Sequence, residues 1–240
     1  MLRSLLGEAP GQWEGLLGET DRAMGAFIGL VRERSSGNPE EAVRFRTYAI
    51  WAEGLRRSLE ELEESIFAAG FFAARIQHER WGELSGPEKK DYDRHVYFDK
   101  NAYIRMFSLL DKLGTLMNDL LGLKTEKIKP KFSYFTVLRR MRETGRYPEL
   151  AGPLTALKET NRDAMNRLRT RRNTEIHFMN AELQDDLFAE KAAHGREAGE
   201  TGRLENLSVN LADLRMGWDM VLGTLERSFR YACDRLRHRP

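Results

Sequence analysis

The span Arg171-Arg172-Asn173-Thr174-Glu175-Ile176-His177 gathers a strong cation, a side-chain amide and an imidazole within seven positions. An imidazole titrates near neutrality and can take or give a proton. A guanidinium offers planar donors matched to phosphate oxygens. An amide beside them can orient the ring or hold a phosphate oxygen. On an ideal helix Asn173 and His177, four positions apart, share one face, whereas Arg172 and His177 are separated by about 140°. Arg172 falls instead on a stripe with Leu168, Ile176, Met179 and Leu183. An arginine flanked by that much apolar surface is expected to be partly buried and to need a hydrogen-bonding or anionic partner. Its length, or a break in the helix, would bring the guanidinium round to the His177 side.

The elements that must position these groups all read as helical. Apolar residues at Trp13, Leu16, Leu17, Met24, Phe27, Ile28 and Val31 have helical spacing over 13–34. Ser35-Ser36-Gly37 ends that helix, and Asn38-Pro39-Glu40-Glu41 opens a second with an Asn cap and Pro in the first turn. This second pattern runs to about Trp81, which at ~1.5 Å per residue is roughly 60 Å, so a kink near Gly54 or Gly70 is expected. Its Glu60-to-Glu64 run reads as a solvated face. Ser85-Gly86-Pro87-Glu88 repeats the capping pattern before a short polar helix to about His95. An amphipathic helix follows over 99–122, with Asp111 and Asn118 on one face and Gly114 between them allowing another helix to approach. Asp111 is expected either to hydrogen-bond a core neighbour or to support the site. Gly122 reads as a C-cap and Pro130 as a breaker. From Lys124 to Arg146 eight basic residues face two acids, with Phe132, Tyr134 and Phe135 among them. That mixture suits a phosphate backbone with unstacked bases; alternatively the aromatics are core and the charges solvate one face. Gly152-Pro153 is expected to start the helix leading to Arg172, and 189–206 reads as a loop. A last amphipathic helix spans Ser208 to about His238. There is no internal repeat and no alternating β-pattern. The expected architecture is all-α: one domain over 1–240, with an N-terminal helical extension (1–84) and an up-and-down bundle (85–240).

Arg172-Asn173-Thr174-Glu175-Ile176-His177 resembles the R-N-x-x-x-H form of the R-x(4–6)-H motif of HEPN domains (higher eukaryotes and prokaryotes nucleotide-binding). The helix bearing Tyr103, Ser108, Asp111, Lys112 and Gly114 resembles a second pattern found in a larger bacterial branch of that superfamily. Together the two cover roughly residues 99–186. The resemblance implies an all-helical, metal-independent endoribonuclease, in a toxin–antitoxin or defence setting. RNA supplies its own nucleophile, the 2′-OH, so the protein need only move protons and stabilise charge on phosphorus. Catalysis is then assigned to Arg172 as phosphate clamp, Asn173 as orienter and His177 as general acid or base, leaving a 2′,3′-cyclic phosphate. Lys129, Lys131, Arg139, Arg140, Arg169 and Arg171 are the candidate RNA contacts. The resemblance also implies a C2 homodimer with a composite cleft and a possible antitoxin partner. Where some family toxins carry a tyrosine two residues after the histidine, this chain has Met179. The alternative is a non-catalytic nucleotide- or nucleic-acid-binding module, or a dimeric interaction protein.

Composition narrows the remaining classes. Net charge is +2 over 240 residues, so bulk charge selects no partner. A single cysteine, Cys233, excludes an intrachain disulfide framework and suits a cytoplasmic setting. The most apolar run, residues 66–74, is too short to cross a bilayer, and the start lacks a signal-peptide h-region. There is no phosphate-binding glycine loop, no H-E-x-x-H pair and no Cys–His zinc spacing, so neither a metal nor another cofactor is expected. His78, His95, His194 and His238 are scattered, and most are expected to be solvated or incidental. Trp51, Trp81 and Trp218 are expected in the core, and the basic tail from Arg235 to Pro240 is expected to be a solvated end.

Overall fold

The computed structural model describes residues 2–36, 39–177 and 204–238. Among them are eight α-helices, two 3-10 turns and no strand, an all-α bundle as expected. The helices are α1 (Leu2–Leu5), α2 (Gly15–Arg34), α3 (Pro39–Ala73), α4 (Gly86–Leu120), α5 (Tyr134–Glu143), α6 (Pro148–Thr160), α7 (Arg162–His177) and α8 (Leu207–Arg237). None is long and apolar enough to cross a membrane. The expected Asn38 cap, Met179, Leu183, His194 and the part of the expected loop up to residue 203 lie outside the described residues.

Three boundaries differ from the sequence pattern. Helix α3 stops at Ala73, not Trp81. Beyond it the Gln77 amide and the His78 Nδ1 are hydrogen-bonded to Glu88 Oε1 at 3.0 and 2.9 Å, which turns the chain back onto the start of α4. The same carboxylate makes the expected capping box, accepting from Ser85 N (2.9 Å) and Ser85 Oγ (2.7 Å). Helix α4 is continuous where two helices were read, because Val96-Tyr97-Phe98 contains no breaker. Helix α6 begins at Pro148, which occupies the first turn, so Gly152-Pro153 lies inside it. There Pro153 forgoes one intrahelical hydrogen bond.

The chain forms two compact units. The first comprises Met1–Glu8, Leu62–Ile104 and Asp163–Met216. Leu62, Ala69, Phe72, Ala102, Met165, Leu168 and Leu214 are buried in it, and Phe72 stacks on Phe98 at 5.8 Å. A smaller cluster joins Leu84, Tyr92 and Leu204 with Ile76 and Trp81 around them. Part of the expected solvated glutamate run is instead a socket for α1. Arg3 pairs with Glu63 and lies over the Phe67 ring, and Leu2 N donates to Glu64.

The second unit comprises Ala9–Glu61, Arg105–Arg162 and Gly217–Pro240. Phe27 meets Phe229 edge-on at 5.2 Å within its core. The Tyr48 hydroxyl donates to Asp119 at 2.6 Å. Trp51, expected in the core, is 39% exposed on α3 with Val43 and Ile50. Asp111 takes the hydrogen-bonding role: its Oδ1 accepts from Tyr134 N at 2.9 Å, satisfying an orphan amide at the start of α5. One turn on, Gly114 admits the α5 backbone, since a Cβ there would stand 2.8 Å from Tyr134 Cα. Asn118, one further turn along, accepts from Thr125 N and donates to Glu126. Tyr134 is thereby buried and serves as core, while Phe132 and Phe135 are half-buried.

Gly114→Ala is expected to cost about 1–3 kcal/mol, because the obstruction is backbone. Gly25→Ala, with open space around the added methyl, is expected to gain up to ~1 kcal/mol; urea unfolding of both variants checks the contrast. Hydrogen bonds from Ser85, then Gln77 and His78, hold the Glu88 carboxyl well below the usual glutamate range. A depressed folded-state pKa contributes stability that is present above the ordinary value near 4.5 and is lost as pH falls below it. Glu88→Gln is therefore expected to flatten the acid limb of stability against pH, read from denaturation midpoints across that range.

Candidate functional site

Helix α7 carries the arginine–histidine motif, and few of its side chains are apolar and buried. Ala164, Met165 and Leu168 are the buried residues. Its docking is completed by charge. Arg167, Arg171 and Glu175 recur every fourth residue and so form one stripe. Arg167 forks onto Asp213 of α8, donating from Nε at 2.8 Å and from Nη2 at 2.6 Å. Arg171 pairs with Asp99 of α4 and lies 5.0 Å from the Tyr103 ring centroid. Glu175 accepts from Lys100 of α4 at 2.9 Å. The two aspartate side chains are only 4% and 3% exposed, so each needs its arginine.

Helical geometry then dictates what α7 presents. With 171 and 175 turned toward α4, Asn173 and His177 fall on the opposite side. The Arg172 guanidinium donates to Asn173 Oδ1 from Nε at 3.2 Å and from Nη2 at 2.7 Å. Both residues are half-buried, as expected for Arg172. His177 is the last residue of α7 and is exposed; no hydrogen bond joins it to Arg172 or Asn173. Ile176, expected on a buried stripe, is 52% exposed, so Leu168 is the only buried member of that stripe among the described residues. The structure thus brings Arg172 and Asn173 together and leaves His177 one turn away.

The other sequence candidates are distributed differently. Asp111 holds the amide of Tyr134. Lys129 and Lys131 are exposed in the segment before α5, and Arg139 is exposed at 3.7 Å from Glu143. Arg140 is half-buried, with its Nε enclosed and without a hydrogen-bond acceptor. Arg169 is half-buried. Arg171 is committed to Asp99. Among the described residues no three His, Cys, Asp or Glu side chains are grouped as a metal ion would require.

The residues that the sequence reading missed are on α4. His95, Asp99 and Tyr103 follow one another at four-residue intervals, and all are buried. His95 Nδ1 donates to the Ala69 carbonyl at 2.8 Å, so Nδ1 carries a proton. Of the four scattered histidines, of which most were expected to be solvated or incidental, His95 is thus a buried, hydrogen-bonded one. Burial raises the Asp99 pKa, against the pull of Arg171 and His95. The signal was present as an i, i+4, i+8 spacing, but a helix break read between His95 and Asp99 concealed it. Asp99→Ala leaves the Arg171 guanidinium enclosed without its anion and is expected to cost on the order of 3 kcal/mol. Urea unfolding measures this, with Arg139→Ala, an exposed arginine, expected within about 0.5 kcal/mol of the parent.

A protein-family model described as Cthe2314-like HEPN matches residues 51–233. No curated protein and no solved structure matches the chain. The matched span begins inside the segment 1–84 that was expected as an N-terminal extension, and it contains all of α4 and α7. With well over half of its length covered, the chain belongs to the Cthe2314-like HEPN family of the HEPN superfamily.

Proposed function

We propose that this chain is a metal-independent endoribonuclease of HEPN type, acting in a toxin–antitoxin or defence setting. The observation that carries the reading is the convergence of the Arg172 guanidinium and the Asn173 amide at 2.7 Å, on the side of α7 turned away from α4. His177 follows on the same side in a chain of this family. Arg172 clamps the scissile phosphate and neutralises the charge that develops on its oxygens. His177 transfers the proton of the 2′-OH or of the leaving 5′-oxygen. Asn173 holds the guanidinium in place and can donate from its Nδ2 to a phosphate oxygen. In one chain His177 stands apart from the other two groups, which favours a two-fold homodimer in which two motifs complete one cleft. The same separation also fits a second reading, a HEPN module that binds RNA or nucleotide without cleaving it.

Purified protein is expected to cleave single-stranded RNA in the presence of EDTA, leaving 2′,3′-cyclic phosphate ends. Arg172→Ala and His177→Ala should each lower the rate by roughly 10²-fold or more, with circular dichroism unchanged. Undiminished cleavage by either variant would sink the assignment. RNA binding without any cleavage by the parent would move the conclusion to the binding module.

A further inference from the structure

The second unit holds a group of tyrosines and cations that the motif chemistry does not use. Tyr147 caps the start of α6 in the left-handed region at φ +58°, an uncommon conformation for a bulky residue. Its hydroxyl donates to the Leu121 carbonyl at 2.7 Å. Arg146 donates to the Leu121 and Gly122 carbonyls at 3.1 Å each, and to the Tyr147 oxygen at 2.7 Å. These contacts close the C-terminal end of α4, so the conformation of Tyr147 and the donors of Arg146 have a structural explanation.

Arg235 on α8 meets aromatic groups, including a hydrogen bond to the Tyr231 phenol, but no anion among the described residues. Its guanidinium lies 4.9 Å from the Tyr147 ring centroid and beside the Tyr231 phenol. It is half-buried, and its Nε is enclosed without a hydrogen-bond partner. Among the described residues no carboxylate stands within ion-pair distance of it. Tyr231 and Tyr147 meet at 6.2 Å with their planes 68° apart. A cavity of about 280 Å³ opens here, lined by Tyr231, Asp234, Arg235 and His238. Asp234 is drawn toward Arg237 at 3.8 Å. Exposed Lys124 follows two residues after Gly122, whose carbonyl Arg146 holds.

A partly enclosed guanidinium without a counter-charge is costly unless something anionic completes it. A phosphate matches its planar donors, and a tyrosine ring beside it offers a face or edge to a base. This open depression has room for one nucleotide unit. We propose that this corner binds one nucleotide unit, with Arg235 on the phosphate and Tyr231 against the base. The unit can be a free mononucleotide or one residue of single-stranded RNA; the second source rests on the ribonuclease reading, the first does not.

The full chain is titrated with AMP by calorimetry and with a fluorescein-labelled octaadenylate by anisotropy, with cleavage of a longer RNA followed in parallel. Arg235→Gln is expected to weaken binding by roughly 10-fold, and Tyr231→Leu by roughly 5-fold or more, with circular dichroism unchanged. Arg235→Lys, which keeps the charge and loses the planar fork, should recover part of the loss and carries the test if Arg235→Gln fails to fold. Losses with AMP support a mononucleotide site; losses confined to the octamer support a strand subsite. Absence of binding by the parent to both probes, or parental affinity in Arg235→Gln and Tyr231→Leu, overturns the proposal. Binding that depends on Arg235 and Tyr231 with no RNA cleavage overturns the ribonuclease reading alone.

Discussion

A carboxylate withdrawn from water needs a cation beside it, and that requirement fixes how α7 sits on α4. Asp99 is enclosed by α4 and its neighbours, so Arg171 must reach it. Arg167 and Glu175, one turn to either side, extend the same constraint to Asp213 and Lys100. An apolar interface tolerates small rotations of a helix, because dispersion contacts are individually weak and interchangeable. A bidentate arginine fork does not, since it is satisfied only over a narrow range of geometry. Three ion pairs at four-residue intervals therefore set the rotation of α7 about its axis. The side left over is the one with Asn173 and His177. The motif is presented outward because the charges that flank it are occupied inward.

The same logic operates on backbone groups in the other half of α4. Asp111 and Asn118 lie two turns apart on one face and each accepts from a main-chain amide, Tyr134 N in one case and Thr125 N in the other. Gly114 between them lets the α5 backbone come close enough for the first of these bonds to form. Polar side chains on α4 thus fasten the connection that follows it, where burial would otherwise leave amides without acceptors. The resemblance of this stretch to a recurrent pattern acquires a physical meaning here: its Asp and Gly are a joint between helices.

The helical fold was legible because its signals are local. Met24, Phe27, Ile28 and Val31 recur at helical spacing and are buried; Ser85 and Glu88 close the capping box that their spacing announces; Gly122 has the positive φ of a C-cap. Asp111 and Gly114 were legible as a place where another helix approaches. The docking of α7 was not, because its partners are remote: Asp213 is 46 positions from Arg167 and Asp99 is 72 from Arg171. Read in isolation, an arginine that neutralises a buried aspartate and one that meets solvent look alike. Arg171 therefore read as a candidate RNA contact, although it is matched to the buried Asp99, as Arg167 is to the buried Asp213. Trp51 and Ile176 failed in the opposite sense. Helical spacing says which residues share a face, but not whether anything covers that face.

The Arg172–Asn173 contact bears on how phosphate would enter the site. Nε and Nη2 form the edge of a guanidinium that grips a phosphate with two parallel hydrogen bonds. In this structure that edge is directed at Asn173 Oδ1. On the proposed reading, a phosphate gripped by that edge would displace the amide oxygen from it. Displacement exchanges a neutral acceptor for a charged one, and charge-assisted hydrogen bonds are roughly twice as strong as neutral ones, so the exchange runs downhill once the phosphate is desolvated. The released amide can then rotate and offer Nδ2 to the same phosphate or Oδ1 to the imidazole. On the proposed reading, the contact with Asn173 would hold the half-buried Arg172 before substrate binds, removing part of the side-chain entropy that phosphate binding would otherwise cost.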